Sequence, residues 1–234
     1  MHLEIVYEDD FLIAINKPHD LLVHRTKIAA EVDVFALQLL RDQIGKRVYP
    51  NHRLDRKTGG VLLFGLDEEI HRTVQQQFAD RQVKKKYLAI VRGFTDDEQV
   101  IDYSLKKENG SSQNAITNYT TLDRVELDIP FGTHQTSRYS LIEVNPLTGR
   151  FHQIRKHLAH IHHPIICDRP EGCNKQNKLF KERFGLMTMM LHALELQFSH
   201  PVTGVQLKIK AGLQSEFTRM IDVLGFDYSY SNNI

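Results

Sequence analysis

The stretch HRLDRKTGG at residues 52–60 combines residue types that can do chemistry at one point of the chain. It places a single carboxylate, Asp55, between the guanidinium groups of Arg53 and Arg56, and a pair of glycines follows. A surface ion pair needs no glycines, and a glycine turn needs no charges. Glycines allow a positive φ and the close approach of another segment. The combination therefore favours a loop that lines a cleft.

A second candidate, Arg155, lies on a helix predicted over residues 151–161. At about 100° per residue, Arg155 falls beside the edge of the apolar stripe formed by Phe151, Ile154, Leu158 and Ile161. An unpaired charge inside a protein costs several kcal/mol, so this guanidinium needs a carboxylate or several carbonyls. Asp55 is the natural partner, since a lone acid ahead of a buried strand needs a cation to stay ionised. Taken alone, Asp55 is better explained as an ordinary ion pair in a loop.

The elements that must position these residues are read from periodicity and turn signals. The pattern predicts two or three short strands in residues 3–24, a helix at 34–44 with Asp33 as N-cap and Gly45 as its end, a buried strand at 61–66, a helix capped by Asp67, strands at 85–93 and 137–144, and a closing hairpin in residues 190–210. Residues 104–116 and 169–185 read as polar loops. The predicted class is α+β with a mostly antiparallel sheet, in a single domain over residues 1–234.

Composition excludes several classes of protein. The chain has 234 residues, of which 41% are hydrophobic and 25% charged, as is typical of soluble globular proteins. The longest apolar run, at 61–66, is too short to cross a bilayer, and acids in the first ten residues do not fit a signal peptide. We therefore expect a cytoplasmic protein without membrane association. Two cysteines do not indicate a disulfide framework.

The net charge of +1 conceals an uneven distribution. Residues 81–93 carry five basic residues and no acid, residues 150–160 carry three and none, and residues 94–145 carry nine acids against four basic residues. If the basic segments converge in the fold, they form a positive face that collects phosphates. Solvated faces of helices and strands would give the same charge runs.

The histidines near the end of the predicted helix raise the question of a metal. They are followed by two cysteines, so the whole set is His152, His157, His160, His162, His163, Cys167 and Cys173. The chain has no CxxC or HExxH motif, and these spacings match no recognised zinc site. No glycine-lysine-serine or glycine-lysine-threonine triplet is present, which excludes a P-loop. We expect no metal.

Three segments together resemble a known family, the RluA-type pseudouridine synthases. HRLDRKTGG resembles its nucleophile loop, KKYLAIVRG its tyrosine strand, and LTGRFHQIRKHLAHIHHPI its arginine helix, in the same order. INKPHDLLVH is similar to the family's N-terminal strand pair, and the resemblance extends over residues 3–215. The chain most resembles the short transfer-RNA-modifying members, partly because it starts in the catalytic domain without a preceding S4-type RNA-binding module.

The resemblance implies a fold and an activity. The fold is a mixed, mostly antiparallel central sheet flanked by helices and loops, with a catalytic cleft across the sheet. The activity is isomerisation of uridine to pseudouridine in RNA, with uridine-65 in the T-arm stem of transfer RNA as the target, by a monomer without a cofactor. Two alternatives stay open: a ribosomal-RNA enzyme of the same family, and an RNA-binding protein that keeps the fold without the chemistry.

The resemblance also assigns roles to residues. Asp55 matches the aspartate that acts at C1′ of the target nucleotide or, in a competing proposal, abstracts the C2′ proton. Tyr87 matches the tyrosine that packs on the uracil and assists removal of the C5 proton, although alone it would read as a core strand residue. Arg155 matches the arginine paired with the aspartate. Further substrate contacts are expected from Arg53, which enters the base stack, Ile154, which packs near the base, and His52, Arg56, Arg150 and Lys156.

Three positions depart from the family pattern. Gly59 stands where serine is common, Asp20 where a turn glycine follows NKP, and Cys167 where glycine commonly follows HPI and one aliphatic residue. None of these changes removes a group that the chemistry uses, but each affects the geometry of a loop.

Overall fold

The computed structural model describes residues 1–24 and 34–229. These residues form two compact units: the first from residues 1–24, 34–85 and 193–214, and the second from residues 86–192 and 215–229. The elements, in chain order, are β1 (Glu4–Glu8), β2 (Leu12–Lys17), α1 (Ala36–Ile44), β3 (Tyr49–Pro50), β4 (Gly59–Gly65), α2 (Glu68–Ala79), β5 (Lys84–Arg92), β6 (Glu98–Asp102), β7 (Leu105–Lys106), β8 (Ser112–Gln113), β9 (Ile116–Leu127), β10 (Ser137–Pro146), α3 (Gln153–His160), α4 (Asn174–Phe184), β11 (Leu191–Ser199), β12 (Gln206–Lys210) and α5 (Ser215–Leu224).

The strands of the first unit follow the order β1-β2-β4-β11-β12, and β3 pairs with β4. The pairs β1–β2, β2–β4, β3–β4 and β11–β12 are antiparallel. Every residue of β4 is buried, as its unbroken apolar sequence predicts. The core of the first unit is a cluster of buried side chains from several elements: Leu12, Ala14, Val61, Leu63, Ile70, Val74, Val83, Leu196, Phe198, Ile209 and Ala211.

The two helices of the first unit begin and end at residues with recognisable local chemistry. The carboxylate of Asp67 accepts a hydrogen bond from the Ile70 N–H at 2.8 Å, which caps α2, and two glutamates occupy its first turn. Gly45 ends α1 in the left-handed conformation, with φ of 65°. Both ends were predicted from the sequence. Asp33, the predicted cap of α1, lies outside the described residues.

The second unit contains the antiparallel order β5-β10-β9-β6. Its buried aromatic side chains include Tyr119, Tyr139, Phe180 and Phe217. Helix α4 is fixed to this core through Phe180, whose ring meets the Tyr139 ring edge-on at 5.2 Å.

The predicted α+β class with a mixed, mostly antiparallel sheet is confirmed. Three local predictions differ from the structure. The predicted loop at 169–185 contains helix α4, which is held by its buried residues Gln176 and Phe180. Helix α3 begins at Gln153 rather than Phe151, because His152 has φ of 55° and a left-handed residue cannot continue a right-handed helix. The predicted loop at 104–116 contains a short hairpin of β7 and β8. Within the described parts of the chain, no helix has the length and apolar character needed to span a membrane.

Candidate active site

Asp55 lies in the first unit, half-buried in the loop between β3 and β4. The first residue of this loop, Asn51, is 1% exposed, and its N–H donates to the Leu63 carbonyl at 2.9 Å. At the other end, the Thr58 N–H donates to the Asp55 carbonyl at 3.0 Å, which closes a turn. Because both ends are bonded to backbone, the carboxylate is held on a rigid support.

Helix α2 braces the same loop from outside the sheet. The amide oxygen of Asn51 lies 3.0 Å from Nδ1 of His71, and the side chain of Gln75 donates to the Asn51 carbonyl. Two side chains of one helix face therefore hold the side-chain oxygen and the backbone carbonyl of Asn51 at the start of the loop.

His52, predicted to contact substrate, contacts β4 and α2 of the first unit. Its Nε2 accepts a hydrogen bond from the Leu63 N–H at 3.1 Å, and its ring packs on the Phe78 ring at 5.3 Å. Burial, with a smaller contribution from the charge of Lys85, lowers the pKa of His52 to about 4. The imidazole is therefore neutral at pH 7, and its Nε2 supports the backbone of β4.

The glycine pair after the loop is required by close backbone packing. Gly60 has φ of 109°, and a Cβ there would lie 2.1 Å from the carbonyl oxygen of Ala193. A Cβ on Gly59 would lie 3.0 Å from Cγ of Gln214 and 3.2 Å from Nε2 of His19. Gly59, which stands where the family commonly has serine, therefore fits closely between these two side chains.

Lys17 is a buried cation beside the loop that the sequence did not single out. Its ammonium group donates to the carbonyls of Pro18 and Leu21 at 2.8 Å and of Arg56 at 3.1 Å. It therefore ties the end of β2 to the residue after Asp55. Burial lowers the pKa of Lys17 to about 7, and attraction to Asp55 and then Asp20 opposes this shift.

A second tie joins the segment after β2 to the loop. Nδ1 of His19 lies 2.6 Å from the Lys57 carbonyl oxygen, and Nε of Arg56 donates to the Asp20 carbonyl at 3.1 Å. Asp20 has φ of 64°, so the family's usual glycine is replaced by a residue that tolerates the left-handed region. Arg53 and Arg56 are both exposed on the surface of the first unit.

In the second unit, Tyr87 lies on β5 opposite Val144 of β10. The tyrosine is half-buried, whereas the next four residues of the strand, 88–91, are completely buried. Tyr87 therefore stands where the strand leaves the core. That position suits an aromatic ring that presents part of its surface to a ligand.

Helix α3 carries Ile154 and Arg155, and Gln153 fixes its start. The Gln153 amide donates to the Ile116 carbonyl and to the Thr117 hydroxyl, both at 3.0 Å. Its oxygen accepts from the Thr148 hydroxyl at 2.7 Å and from the Arg150 N–H at 3.0 Å. All four hydrogen bonds of this buried amide are thus used to seat the helix on β9 and the preceding turn.

The guanidinium of Arg155 points into the interior, as the helical spacing predicted. Its Nε donates to Oδ2 of Asp168 at 2.6 Å and its Nη2 to Oδ1 at 2.7 Å, with the two side chains 7% and 1% exposed. The Asp168 carboxylate also accepts from the Glu171 N–H at 3.3 Å. The sequence predicted a buried carboxylate partner but did not identify Asp168. The pairing of Arg155 with Asp55 stays a prediction.

The outer face of α3 carries the expected phosphate contacts. Lys156 is half-buried and lies 5.3 Å over the exposed Phe151 ring. Arg150 precedes the helix, and its Nε donates to the Asn114 carbonyl at 3.1 Å. Ile154, on the same helix as Lys156, is buried.

A family model described as RNA pseudouridylate synthase matches residues 11–160. The chain belongs to this family. The matched range includes Asp55, Tyr87 and Arg155, but ends before Asp168. Relatives named tRNA pseudouridine synthase C are similar to nearly the whole chain. The protein of Vibrio cholerae is 44% identical over 97% of this chain and 98% of its own length, and that of Haemophilus influenzae is 42% identical over 96% and 99%.

Two solved structures have a fold similar to that of this chain. The human RNA pseudouridylate synthase domain-containing protein 4 has a TM-score of 0.75 and 24% identity, over 95% of this chain and 93% of its own. The related human protein 1 has a TM-score of 0.71 and 22% identity, over 96% and 95%.

Three histidines of the set considered as a metal site each contact a different protein group. Nε2 of His157 lies 2.9 Å from the Tyr103 carbonyl oxygen, Nδ1 of His163 lies 2.8 Å from that of Arg92, and Nδ1 of His152 lies 3.1 Å from the Glu171 carboxylate. Among residues 1–24 and 34–229, no group of three or more His, Cys, Asp or Glu side chains is placed to hold a metal ion.

Proposed function

We propose that this protein converts uridine to pseudouridine in transfer RNA, with uridine-65 of the T-arm stem as its target. The observation that carries the proposal is 42–44% identity, over nearly the full chain, to proteins named tRNA pseudouridine synthase C. The residues that the family's chemistry needs are present on supported elements in each unit. Asp55 stands in a loop fixed at both ends, and Arg155 stands on a helix seated by a buried glutamine.

The reaction is an isomerisation, so its atoms must balance without an added reagent. The bond from C1′ to N1 of uracil breaks, the freed base turns, and C1′ bonds to C5. The C5 proton leaves and N1 gains a proton, so that nothing is oxidised and no group is imported. The chemistry requires an anionic carboxylate at the sugar and a pocket that retains the base and excludes water. It requires no cofactor and no metal.

Asp55 is the proposed reacting carboxylate. It acts at C1′ or removes the C2′ proton, and either role needs it ionised and fixed in direction. Lys17 supports the second need, because its bond to the Arg56 carbonyl restrains the backbone next to Asp55. We propose Arg155 as the second cation. Asp168 fixes the plane of its guanidinium through Nε and Nη2.

Tyr87 and Ile154 are the proposed walls for the uracil ring. Tyr87 is half-buried at the end of a buried strand run, and Ile154 precedes Arg155 on α3. An aromatic face and an aliphatic side chain hold a flat base by stacking and by excluding water, while leaving it free to turn in its plane. Tyr87 also carries the hydroxyl proposed to assist removal of the C5 proton.

The remaining predicted residues are proposed to hold the RNA. A target base inside a stem must flip out, at a cost of a few kcal/mol. Arg53 is exposed, and its planar guanidinium can stack in the position that the base leaves. Arg56, Arg150 and Lys156 are proposed phosphate contacts. His52, which supports the loop that carries Arg53 and Arg56, is a further proposed substrate contact. We further propose a cytoplasmic monomer in which both units form one catalytic domain.

The test is release of tritium by the purified protein from 5-tritiated uridine in transfer-RNA transcripts, followed by mapping of the modified nucleotide. The proposal expects one equivalent of tritium per transcript and a single pseudouridine at position 65. Cells that lack the gene should lose that one site. Loss of a ribosomal-RNA site instead would establish the ribosomal alternative. Tight binding of transfer RNA without tritium release would establish a binding protein without chemistry.

A further inference from the structure

A positively charged pocket lies along one face of α4 in the second unit, in the segment 169–185 that the sequence marks as basic. Its volume is about 200 Å³. Arg169, Asn174, Lys178 and Lys181 line it, together with Cys167, Asn177, Leu186 and Met187. Positions 174, 178 and 181 recur at helical spacing, so α4 presents them together.

The face of α4 that carries these cations is fixed by the opposite side of the helix. Phe180 is completely buried, and the amide of Gln176 donates to the Tyr139 hydroxyl at 2.5 Å. Asn177 closes the attachment, since its Oδ1 accepts from the Cys167 N–H at 3.0 Å and its Nδ2 donates to the Asp168 carbonyl at 2.7 Å. The pocket is therefore preformed and does not depend on a loop that must first become ordered.

The positive charge of the pocket is only weakly compensated within the protein. Among the residues that the structure describes, the side chains of Arg169 and Lys181 make no hydrogen bond or ion pair. Lys178 lies 3.7 Å from Glu182, and both side chains are exposed, so this contact contributes little. Three cations around one small volume repel each other unless an anion neutralises them.

The chemistry of the pocket selects the kind of anion. A phosphate group offers oxygens in several directions, which suits guanidinium, ammonium and amide donors arranged around a cavity. Backbone phosphates are the groups that RNA presents regardless of sequence. We propose that this pocket binds a backbone phosphate of the RNA substrate, at a nucleotide other than the one that reacts. The inference rests on the proposed function, because that function supplies the RNA.

The pocket is also joined to the candidate active site through Asp168. Its carboxylate pairs with Arg155, and its carbonyl accepts from Asn177 of α4. A Cβ on Gly172 would lie 2.0 Å from the same carbonyl oxygen, so the turn into α4 packs directly on this residue. RNA held at the pocket is thus placed in a fixed relation to Arg155.

The test compares two variants that remove positive charge from the same region. The pocket variant combines Arg169→Gln, Lys178→Gln and Lys181→Gln, all at exposed positions. The control is Arg183→Gln, which is exposed on the opposite face of α4. KM and kcat for a transfer-RNA transcript are measured by tritium release, and RNA affinity is measured as a function of salt.

The pocket variant should raise KM by about tenfold, the loss expected for one charge-assisted contact, with kcat unchanged. Its slope of log affinity against log salt should fall by about 1, as for the loss of one phosphate contact, while the control changes neither quantity. A pocket variant equal to the control in KM and slope would overturn the inference, as would a loss of kcat at unchanged KM. If the wild-type protein modified no RNA, the proposed function would fail, and the salt slopes would still decide whether the pocket contacts phosphate.

Discussion

Arg155 and Asp168 form a two-point ion pair, with contacts of 2.6 and 2.7 Å, that is almost completely buried. The two hydrogen bonds run in parallel from one edge of the guanidinium to both carboxylate oxygens. This geometry fixes the plane of the guanidinium as well as its position. Asp168 thereby determines in which direction the remaining donors of Arg155 point, which makes it a positioning residue for the candidate active site.

Replacement of Asp168 tests this positioning role. Asp168→Asn leaves a buried guanidinium without its counter-charge, so the free energy of unfolding should fall by about 3 kcal/mol. Misdirection of Arg155 should lower kcat by about 10²-fold, with KM for transfer RNA unchanged. Glu171→Gln removes the neighbouring charge that faces His152 and serves as the control, with kcat retained. A folded Asp168→Asn protein with the wild-type kcat would limit Asp168 to a structural role.

The buried Lys17 predicts a pH dependence of stability. The pKa of Lys17 is about 7 in the folded protein, against an ordinary value of 10.5 in the unfolded chain. Between these values the unfolded chain holds a proton that the folded protein lacks, so the Lys17 contribution to the free energy of unfolding increases with pH. The limiting slope is about 1.4 kcal/mol per pH unit.

Urea unfolding at about pH 7, 8 and 9 measures this slope. The difference between the wild type and Lys17→Met isolates the contribution of Lys17, and Lys46→Met, at an exposed position, should retain the wild-type slope. Parallel pH dependences in the wild type and Lys17→Met would show that Lys17 keeps an ordinary pKa in the folded protein.

Two glycines with positive φ should differ sharply in their tolerance of alanine. Gly60→Ala places a methyl group 2.1 Å from the Ala193 carbonyl oxygen at φ of 109°, and should cost at least about 3 kcal/mol of unfolding free energy. Gly45 has φ of 65° with nothing within 4 Å, so Gly45→Ala should cost about 1 kcal/mol. Denaturant titration compares them. Equal costs would mean that backbone conformation, and not the contact with β11, is what requires glycine at position 60.

Local signals in the sequence were sufficient to predict several elements. Asp67 and Gly45 bound their helices as predicted, because capping depends on residues within one turn. The apolar run at 61–66 predicted the buried strand β4 in the same way. Helix α4 was missed because its buried residues are Gln176 and Phe180, which form no apolar stripe at helical period.

The candidate site was predicted less completely than the fold. The inward direction of Arg155 followed from helical spacing, but Asp168 as its partner is brought close by a turn of the chain that periodicity does not describe. One signal was present: Asp168 is an acid that directly follows the apolar run of residues 164–167. The burial of Lys17 could not be read from NKP, because it depends on carbonyls of a loop about forty residues away.

The departures from the family pattern have structural explanations. Asp20 and Cys167 stand where the family commonly has glycine, and both have positive φ, of 64° and 61°. The backbone conformation is therefore the one that glycine favours, with the strain borne by another residue.

The central claim is that the Asp55 carboxylate reacts with the target nucleotide, and the most direct test is tritium release from 5-tritiated uridine in transfer RNA by Asp55→Asn. The matched control is Asp42→Asn, which removes the same charge at an exposed position on α1. The account predicts no detectable release by Asp55→Asn, with RNA affinity and thermal stability retained, and full release by the control. Full release by Asp55→Asn would contradict it.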